Sequence, residues 1–347
     1  MSDTRVNQLP ILLIQSASAA TAVMQNIRTL FPGANVSLTD GGPGGNYTIT
    51  VFGDRTSWMG GISNLRALPT SGTLTGDYYN SGNWTQTGAI TSNYVRVFNS
   101  GTMTFNNTWT VNTECAGGIS HAGTTTTAGY GSGGAGLGGG STPGGGGTVT
   151  QAGGAGGGFG GTGGTGGSNI AGGGGTVGGS TYPIAASLSG SGGGAGTGSA
   201  SAAGGNGGAG GGSLYIESTG AIAFSSGAAI TLTGGSGATS PNATSGSGAG
   251  GSGGGFQIRS LSTITVASGA SITAAGGAGG TAPTTGSGGA GGGGGVIDWS
   301  AISVSNSGTI SASGGSAGTG GTVTATAGSS GIVNLAPLGI QGPRSAG

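Results

Sequence analysis

The side chains that could carry out chemistry are few and scattered along this sequence. It has a single histidine, His121, and a single cysteine, Cys115, which stand six residues apart at the start of a low-complexity stretch. A cysteine–histidine nucleophile needs a third group that orients the histidine, and a metal site needs several ligands at suitable spacing. Neither pattern is found in the sequence. We therefore predict no catalytic residue, no metal site, no cofactor and no enzyme.

Three charged residues recur at equivalent places in the carboxyl-terminal half. Glu217, Arg259 and Asp298 each directly follow an isoleucine near the start of a repeated block. If the blocks stack in register, the negative, positive and negative side chains lie one above another on a solvent face. Because the pattern follows the repeat, we interpret it as a structural charge ladder and not as a catalytic pair of carboxylates.

Three aromatic residues, Tyr130, Phe159 and Tyr182, stand in glycine-rich stretches where no core is evident. Rings held on a rigid frame are good anchors for sugars or protein loops, so these residues are candidate receptor contacts. The alternative is that the rings pack over glycine-rich backbone. The sequence does not separate these two interpretations.

The elements that must position these residues belong to two parts of different composition. Residues 1–115 contain 13 of the 94 glycines, and residues 116–347 contain the other 81.

The formal net charge is zero and there is no lysine, so the basic footprint of a nucleic-acid-binding protein is absent. The amino-terminal apolar stretch is too short for a signal peptide, and no stretch is long enough to span a membrane. We expect a chain that is made in a cytoplasm without export.

The first part predicts a small β-rich attachment domain over residues 1–115, led by one helix. Apolar residues at steps of three and four indicate the helix, and alternation of apolar and polar residues around Ile49, Val95, Met103 and Trp109 indicates strands. Two apolar groups near the amino terminus are candidate contacts with a partner protein: Leu9, Ile11, Leu12, Leu13, Ile14, Val23, Ile27, Leu30 and Phe31.

The second part contains two kinds of repeat. In residues 213–347, isoleucine-x-apolar pairs begin at Ile222, Ile264 and Ile302, in steps of 42 and 38 residues. Short strands repeated at about 40 residues predict β-solenoid-like coils, since each coil buries its apolar row against the next. Gly-Gly-x triplets fill residues 116–212 and the gaps between coils. Their period of three predicts polyglycine-II helices, with a flexible linker as the alternative.

The fold class predicted from the sequence is therefore mainly β. A small β-rich N-terminal domain precedes a glycine-rich repeat region of short stacked β coils and polyglycine-II helices. We expect three segments: an attachment domain at 1–115, a polyglycine-II region at 116–212 and β-solenoid-like repeats at 213–347.

Triplets such as those from Gly157 to Ser168, alternating with short strands, resemble the glycine-rich region of phage tail-fibre adhesins. The similarity is to the tip adhesins of the long tail fibres of T-even-like phages, covers residues 116–347 and is one of composition. It implies packed polyglycine-II helices, loops at the far end that recognise bacterial receptors, and an amino-terminal domain attached to the fibre. Residues 1–115 do not match that family's attachment domain, and its variable loops transfer no site residue.

These observations predict a virion structural protein, foremost a tail-fibre tip or receptor-binding adhesin. The alternatives are a capsid or tail decoration or scaffold protein without a receptor, a secreted glycine-rich bacterial surface protein, and an ice-binding protein. The expected partners are other virion proteins and a protein or glycan receptor, with no nucleic acid and no membrane insertion, and homo-oligomerisation is left open. The expected location is the virion, assembled in the host cytoplasm and acting outside the cell.

Overall fold

The computed structural model describes residues 35–39, 48–52, 66–120, 152–167, 189–198, 202–283 and 285–337. The chain divides into two compact units, Met1–Leu65 and Arg66–Gly347. In the first unit, β1 (Asn35–Thr39) and β2 (Thr48–Phe52) form an antiparallel pair. Strand β2 contains the predicted alternation at Ile49. The predicted helix and the docking candidates from Leu9 to Phe31 lie outside the described residues.

The second unit has sixteen strands among its described residues. They are β3 (Arg66–Ala67), β4 (Gly72–Asn80), β5 (Trp84–Thr85), β6 (Ile90–Asn99), β7 (Met103–Phe105), β8 (Thr108–Val111), β9 (Ser213–Ser218), β10 (Ile222–Phe224), β11 (Ala229–Thr231), β12 (Gly255–Ser260), β13 (Thr263–Val266), β14 (Ser271–Thr273), β15 (Val296–Ala301), β16 (Ser303–Asn306), β17 (Thr309–Ser311) and β18 (Ile332–Pro337).

The strands of the second unit pair in parallel and form two sheets. The smaller sheet has the order β16-β13-β10-β7-β5, and the larger, eleven-stranded sheet has the order β17-β14-β11-β8-β6-β9-β12-β15-β18, with β4 pairing to β6 and β3. Strand β6 pairs with β8 through Ile90–Ser92 and with β9 through Val95–Asn99, so it joins two wings of the larger sheet. The result is a nearly closed, barrel-like β structure.

Each repeat contributes three strands, one to the smaller sheet and one to each wing of the larger sheet. Ile222 pairs with Ile264, as the repeat predicted. The third block differs, because Ile264 pairs with Val304 and not with Ile302. Ile302 is 54% exposed in the turn before β16, whereas Val304 packs against the core. The isoleucine-x-apolar pair of the third block was therefore placed two residues too early.

The boundary between the structural units lies after residue 65 and not at residue 115 as predicted. Met103 of β7 pairs with Ile222 of the first repeat, and Trp109 of β8 pairs with Ile230. Residues 66–111 therefore belong to the same stack as the repeats. The alternating pattern predicted these strands correctly but not their partners, since it shows which face of a strand is buried and not which strand lies beside it.

One apolar core fills the space between the two sheets, and aromatic rings follow the direction of stacking. The ring of Phe224 stacks on Phe105 with centroids 4.7 Å apart and on Trp299 at 5.4 Å. Such pairs contribute about 0.5–1.5 kcal/mol each beyond the area they bury. Trp84 and Trp109 also belong to this core.

The glycine runs pack side by side through backbone hydrogen bonds. In residues 246–254, successive N–H groups donate in turn to carbonyls of three neighbouring runs, 191–197, 287–293 and 232–238, at 2.8–2.9 Å. The period of three in the sequence thus corresponds to a period of three in hydrogen-bond direction. The described segments 152–167 and 189–198 take part in the same array, so the linker alternative does not hold for them.

The predicted fold class, short β coils with polyglycine-II helices, is wrong. The described residues form mainly parallel sheets in a nearly closed, barrel-like arrangement and contain no helix. The expectation of a β-rich protein is correct. The extent of the sheets could not be predicted from the glycine-rich sequence. The strands of each repeat pair with strands one repeat away, and local composition does not reveal such distant partners.

We predict that Gly289→Ala destabilises the second unit. A Cβ atom at this position would overlap the carbonyl oxygen of Gly248, which already accepts a hydrogen bond from Gly280. Overpacking against fixed backbone should lower the free energy of unfolding by about 3 kcal/mol, measured from chemical denaturation. The matched control is Gly82→Ala, where no atom lies within 4 Å of the added carbon. The control should change stability by less than about 0.5 kcal/mol, and equal stabilities of the two variants would contradict the close packing.

Candidate receptor-binding surfaces

Loops from successive repeats meet at one end of the glycine array. The glycine runs that precede β9, β12, β15 and β18 enter these strands at one end. The loops lie at the other end of the runs, away from the sheets. Backbone hydrogen bonds join them in order: Ser240 N–H donates to Thr281 at 3.3 Å, and Ala282 N–H donates to Thr319 at 2.9 Å. We call this group the loop end, and its described segments are residues 239–245, 281–283, 285–286 and 319–325.

The loop end presents small side chains that carry hydroxyl and methyl groups. Thr239, Thr281 and Thr324 are exposed, and no residue of these segments is charged. The third loop turns through Gly320 and Gly321, whose φ angles of 124° and 89° lie in the left-handed region that favours glycine. Threonine offers a donor, an acceptor and a methyl group together, so this surface can contact a sugar or a protein loop.

A second surface is the face of the larger sheet that points away from the core. The sequence contains seven charged residues between positions 66 and 337, and five of them stand at non-core positions of this sheet: Asp77, Arg96, Glu217, Arg259 and Asp298. Side chains alternate between the two faces along each strand, so these residues share one face. We call it the polar face.

The polar face is organised as two rows of residues in register across β4, β6, β9, β12, β15 and β18. The first row is Asp77, Arg96, Tyr215, Gln257, Asp298 and Asn334. The second row is Tyr79, Phe98, Glu217, Arg259, Ser300 and Ala336.

The predicted charge ladder is only partly present. Arg259 is in register with Glu217, as expected, but its other neighbour is Ser300. Asp298 pairs instead with Gln257, because Ile297 aligns with Phe256 and not with the isoleucine before Arg259. The Asp298 carboxylate accepts hydrogen bonds from Gln257 at 3.3 Å and Asn334 at 2.7 Å. Arg259 is exposed and forms no ion pair within the part of the chain that the structure describes.

Polar contacts hold the first row in place. Arg96 donates from Nε and Nη2 to the two carboxylate oxygens of Asp77 at 2.6 and 2.7 Å, which raises the pKa of the arginine. Its guanidinium lies 5.7 Å from the ring centroid of Tyr94. Burial raises the pKa of Tyr94, so its phenol is neutral at physiological pH. A two-point arginine–carboxylate pair fixes geometry as well as charge.

The second row is the accessible one. Tyr79 is 41% exposed, Arg259 is exposed, and Phe98 and Glu217 are half-buried. The Phe98 ring contacts the ring of Tyr215 at 5.9 Å, and the Tyr215 hydroxyl donates to Glu217 at 3.0 Å. Tyr215, a buried residue of the first row, therefore orients the Phe98 ring and the Glu217 carboxylate of the second row.

The structure corrects one aromatic candidate. Phe159 is completely buried and packs against Val296, so its ring cannot contact a receptor, and the alternative of packing within the glycine-rich part is confirmed for it. Tyr130 and Tyr182 lie outside the described residues, as does His121. Sequence reasoning missed Tyr79 and Phe98, although each stands in an alternating strand and the alternation around Val95 and Val97 places Phe98 on the non-core face.

Neither a metal site nor a membrane-spanning helix is found in the described ranges. No three histidine, cysteine, aspartate or glutamate side chains there are grouped so that they could hold a metal ion. No helix there is long and apolar enough to cross a membrane.

We predict that the Cys115 thiol reacts slowly in the folded protein. Burial, with a smaller effect of the Glu114 carboxylate, raises its pKa to about 11. The thiolate is the reactive form, so alkylation by iodoacetamide at pH 8 should be on the order of 100-fold slower than in denaturant, where the thiol pKa is near 8.5. The rate should rise steeply towards pH 11. Because this is the single cysteine, mass spectrometry reads it directly, and equal rates in the folded and denatured protein would contradict the raised pKa.

Two surfaces on the described fold are thus candidate binding sites: the loop end and the second row of the polar face. Comparisons with protein-family models, curated proteins and solved structures found no match to this chain.

Proposed function

We propose that this protein is a virion structural protein, a receptor-binding adhesin of a tail-fibre tip that attaches to a bacterial host surface. The observation that carries the proposal is the meeting of loops from successive repeats at the loop end. In the adhesins that residues 116–347 resemble in composition, loops at the far end of a glycine-rich frame recognise the receptor. An assembled virion would carry the protein outside the cell after assembly in the host cytoplasm.

The physical support is preorganisation of the loop end. Backbone hydrogen bonds hold the glycine runs that lead into and out of each loop, so a loop begins and ends at fixed points. Binding by groups that are already ordered loses less conformational entropy, which favours affinity at a small surface. Several copies on one particle would further strengthen attachment through weak individual contacts.

Attachment to other virion proteins is assigned in this proposal to the unit Met1–Leu65, which replaces the predicted segment 1–115. The reason is that β6, β7 and β8 pair directly with strands of the first repeat. The apolar candidates from Leu9 to Phe31 belong to this unit and are its proposed partner contacts.

One observation favours a second candidate, a decoration or scaffold protein without a receptor. The last coil of the stack exposes apolar side chains, with Ile302 at 54%, Ile332 at 38% and Val333 at 42%. Strands β16, β17 and β18 are also terminal in their sheets. An open, apolar strand edge is a common place for association with another β structure, so this end could serve assembly without any contact with the host.

We predict that the full-length chain, fluorescently labelled, stains bacterial cells and that the triple variant Thr239→Lys, Thr281→Lys and Thr324→Lys does not. These threonines are exposed and make no side-chain hydrogen bond with the described residues, so lysine should alter the surface and leave the frame intact. Staining by the variant should fall at least tenfold across a panel of strains with altered surface structures.

The matched control is the triple variant Thr263→Lys, Thr265→Lys and Ser305→Lys, at exposed positions of the smaller sheet. It adds the same charge and should stain as the unmodified protein does. Equal staining by both variants would remove the loop end as the receptor site. Lack of staining by the unmodified chain on every strain, together with its retention on purified virions, would favour the decoration protein.

A further inference from the structure

We infer that the second row of the polar face binds a neutral, hydroxyl-rich saccharide chain. The inference rests on the proposed function in one respect, namely that the saccharide belongs to the bacterial surface. It concerns a site different from the loop end, and the chemistry of the row alone selects the class of ligand.

Hydrogen-bonding groups of opposite kinds alternate along the row. The Glu217 carboxylate accepts, and it is held in place by the Tyr215 hydroxyl at 3.0 Å. The neighbouring Arg259 donates, and it is exposed without an ion pair among the described residues. Ser300 follows with a hydroxyl that does both. A sugar hydroxyl is both donor and acceptor, so adjacent hydroxyls match an acceptor next to a donor.

Aromatic surface precedes the charged groups in the same row. Tyr79 is 41% exposed and lies in register with Phe98, which in turn lies in register with Glu217. Contact with Tyr215 at 5.9 Å restrains the Phe98 ring. One face of a sugar ring is made of C–H groups, and aromatic rings provide the flat apolar surface on which it can pack.

The charge pattern distinguishes a neutral saccharide from a charged polymer. Asp77 and Arg96 neutralise each other at 2.6 Å, which leaves Glu217 and Asp298 as the carboxylates and Arg259 as the cation of the face. Within the second row itself, Glu217 and Arg259 are in register and carry one charge of each sign, so a polymer of either sign would meet a like charge there. Like charges across an interface are unfavourable, so neither polymer suits the row.

The length of the row favours a chain of several sugars. From Tyr79 to Ser300 it crosses five adjacent strands. At about 4.8 Å between strands it extends for roughly 19 Å, which exceeds a single sugar ring. The strands hold these side chains at regular intervals, as a repeating saccharide requires.

The test is binding of the full-length protein to soluble bacterial polysaccharides by isothermal titration. The panel contains neutral polymers of glucose, mannose, galactose and rhamnose, and acidic polymers that carry uronic acids. The proposal expects at least one neutral polymer to bind, with binding weakened at least tenfold by Arg259→Gln and by Tyr79→Ala. The control Thr265→Ala, at an exposed position of the smaller sheet, should bind as the unmodified protein does. Thermal unfolding of each variant verifies the fold.

Three outcomes would overturn the inference: no neutral polymer binds, an acidic polymer binds in preference, or the row variants bind like the control. Combining the assay with cell staining separates this proposal from the proposed function. If staining needs the loop-end threonines and no polysaccharide binds, the proposed adhesin function is supported and the saccharide site is contradicted. If polysaccharide binding needs Arg259 and no strain is stained, the saccharide site is supported and the proposed attachment to host cells is contradicted.

Discussion

Close approach of backbone to backbone in the glycine array is the constraint on which the rest of this protein depends. Ordering a residue costs about 1–2 kcal/mol in backbone entropy, and glycine loses more freedom than any other residue. The array offsets this by directing successive N–H groups to carbonyls of neighbouring runs. Added Cβ atoms would collide with those carbonyls at most positions, so the composition follows from the packing.

The array and the sheets depend on each other. The runs have almost no large apolar side chains of their own, and the runs between β9 and β18 each join at one end a strand of the sheets that surround an aromatic core. The sheets in turn hold the runs side by side at the spacing that the backbone hydrogen bonds need. The core and the array provide stability, whereas binding is assigned to the loops and to one face of the larger sheet. Stability and binding therefore depend on different residues. Changes at the exposed threonines therefore need not disturb the core.

The sequence predicted a substantial part of this architecture, and its failures share a cause. Alternation around Val95, Met103 and Trp109 correctly predicted strands. The partners of these strands were not predictable, since a pattern of period two carries no information on pairing. The same limit explains Asp298, where a shift of two residues placed the carboxylate beside Gln257 and not beside Arg259. Phe159 was ambiguous because glycine-rich surroundings do not indicate that a backbone array will bury a ring.

Hydrogen-bond direction rotates with a period of three along residues 246–254, and glycine has no side chain that marks its position. A slip of three residues would therefore restore nearly every bond in the run. The register of the whole array must be kept by the strands, where a slip of one residue would turn Phe256 and Ile258 out of the core. The length of a run can therefore change only in steps of three residues. One or two inserted glycines would point every later N–H group away from its acceptor. Three inserted glycines would extend the run by one complete step and move its loop outward.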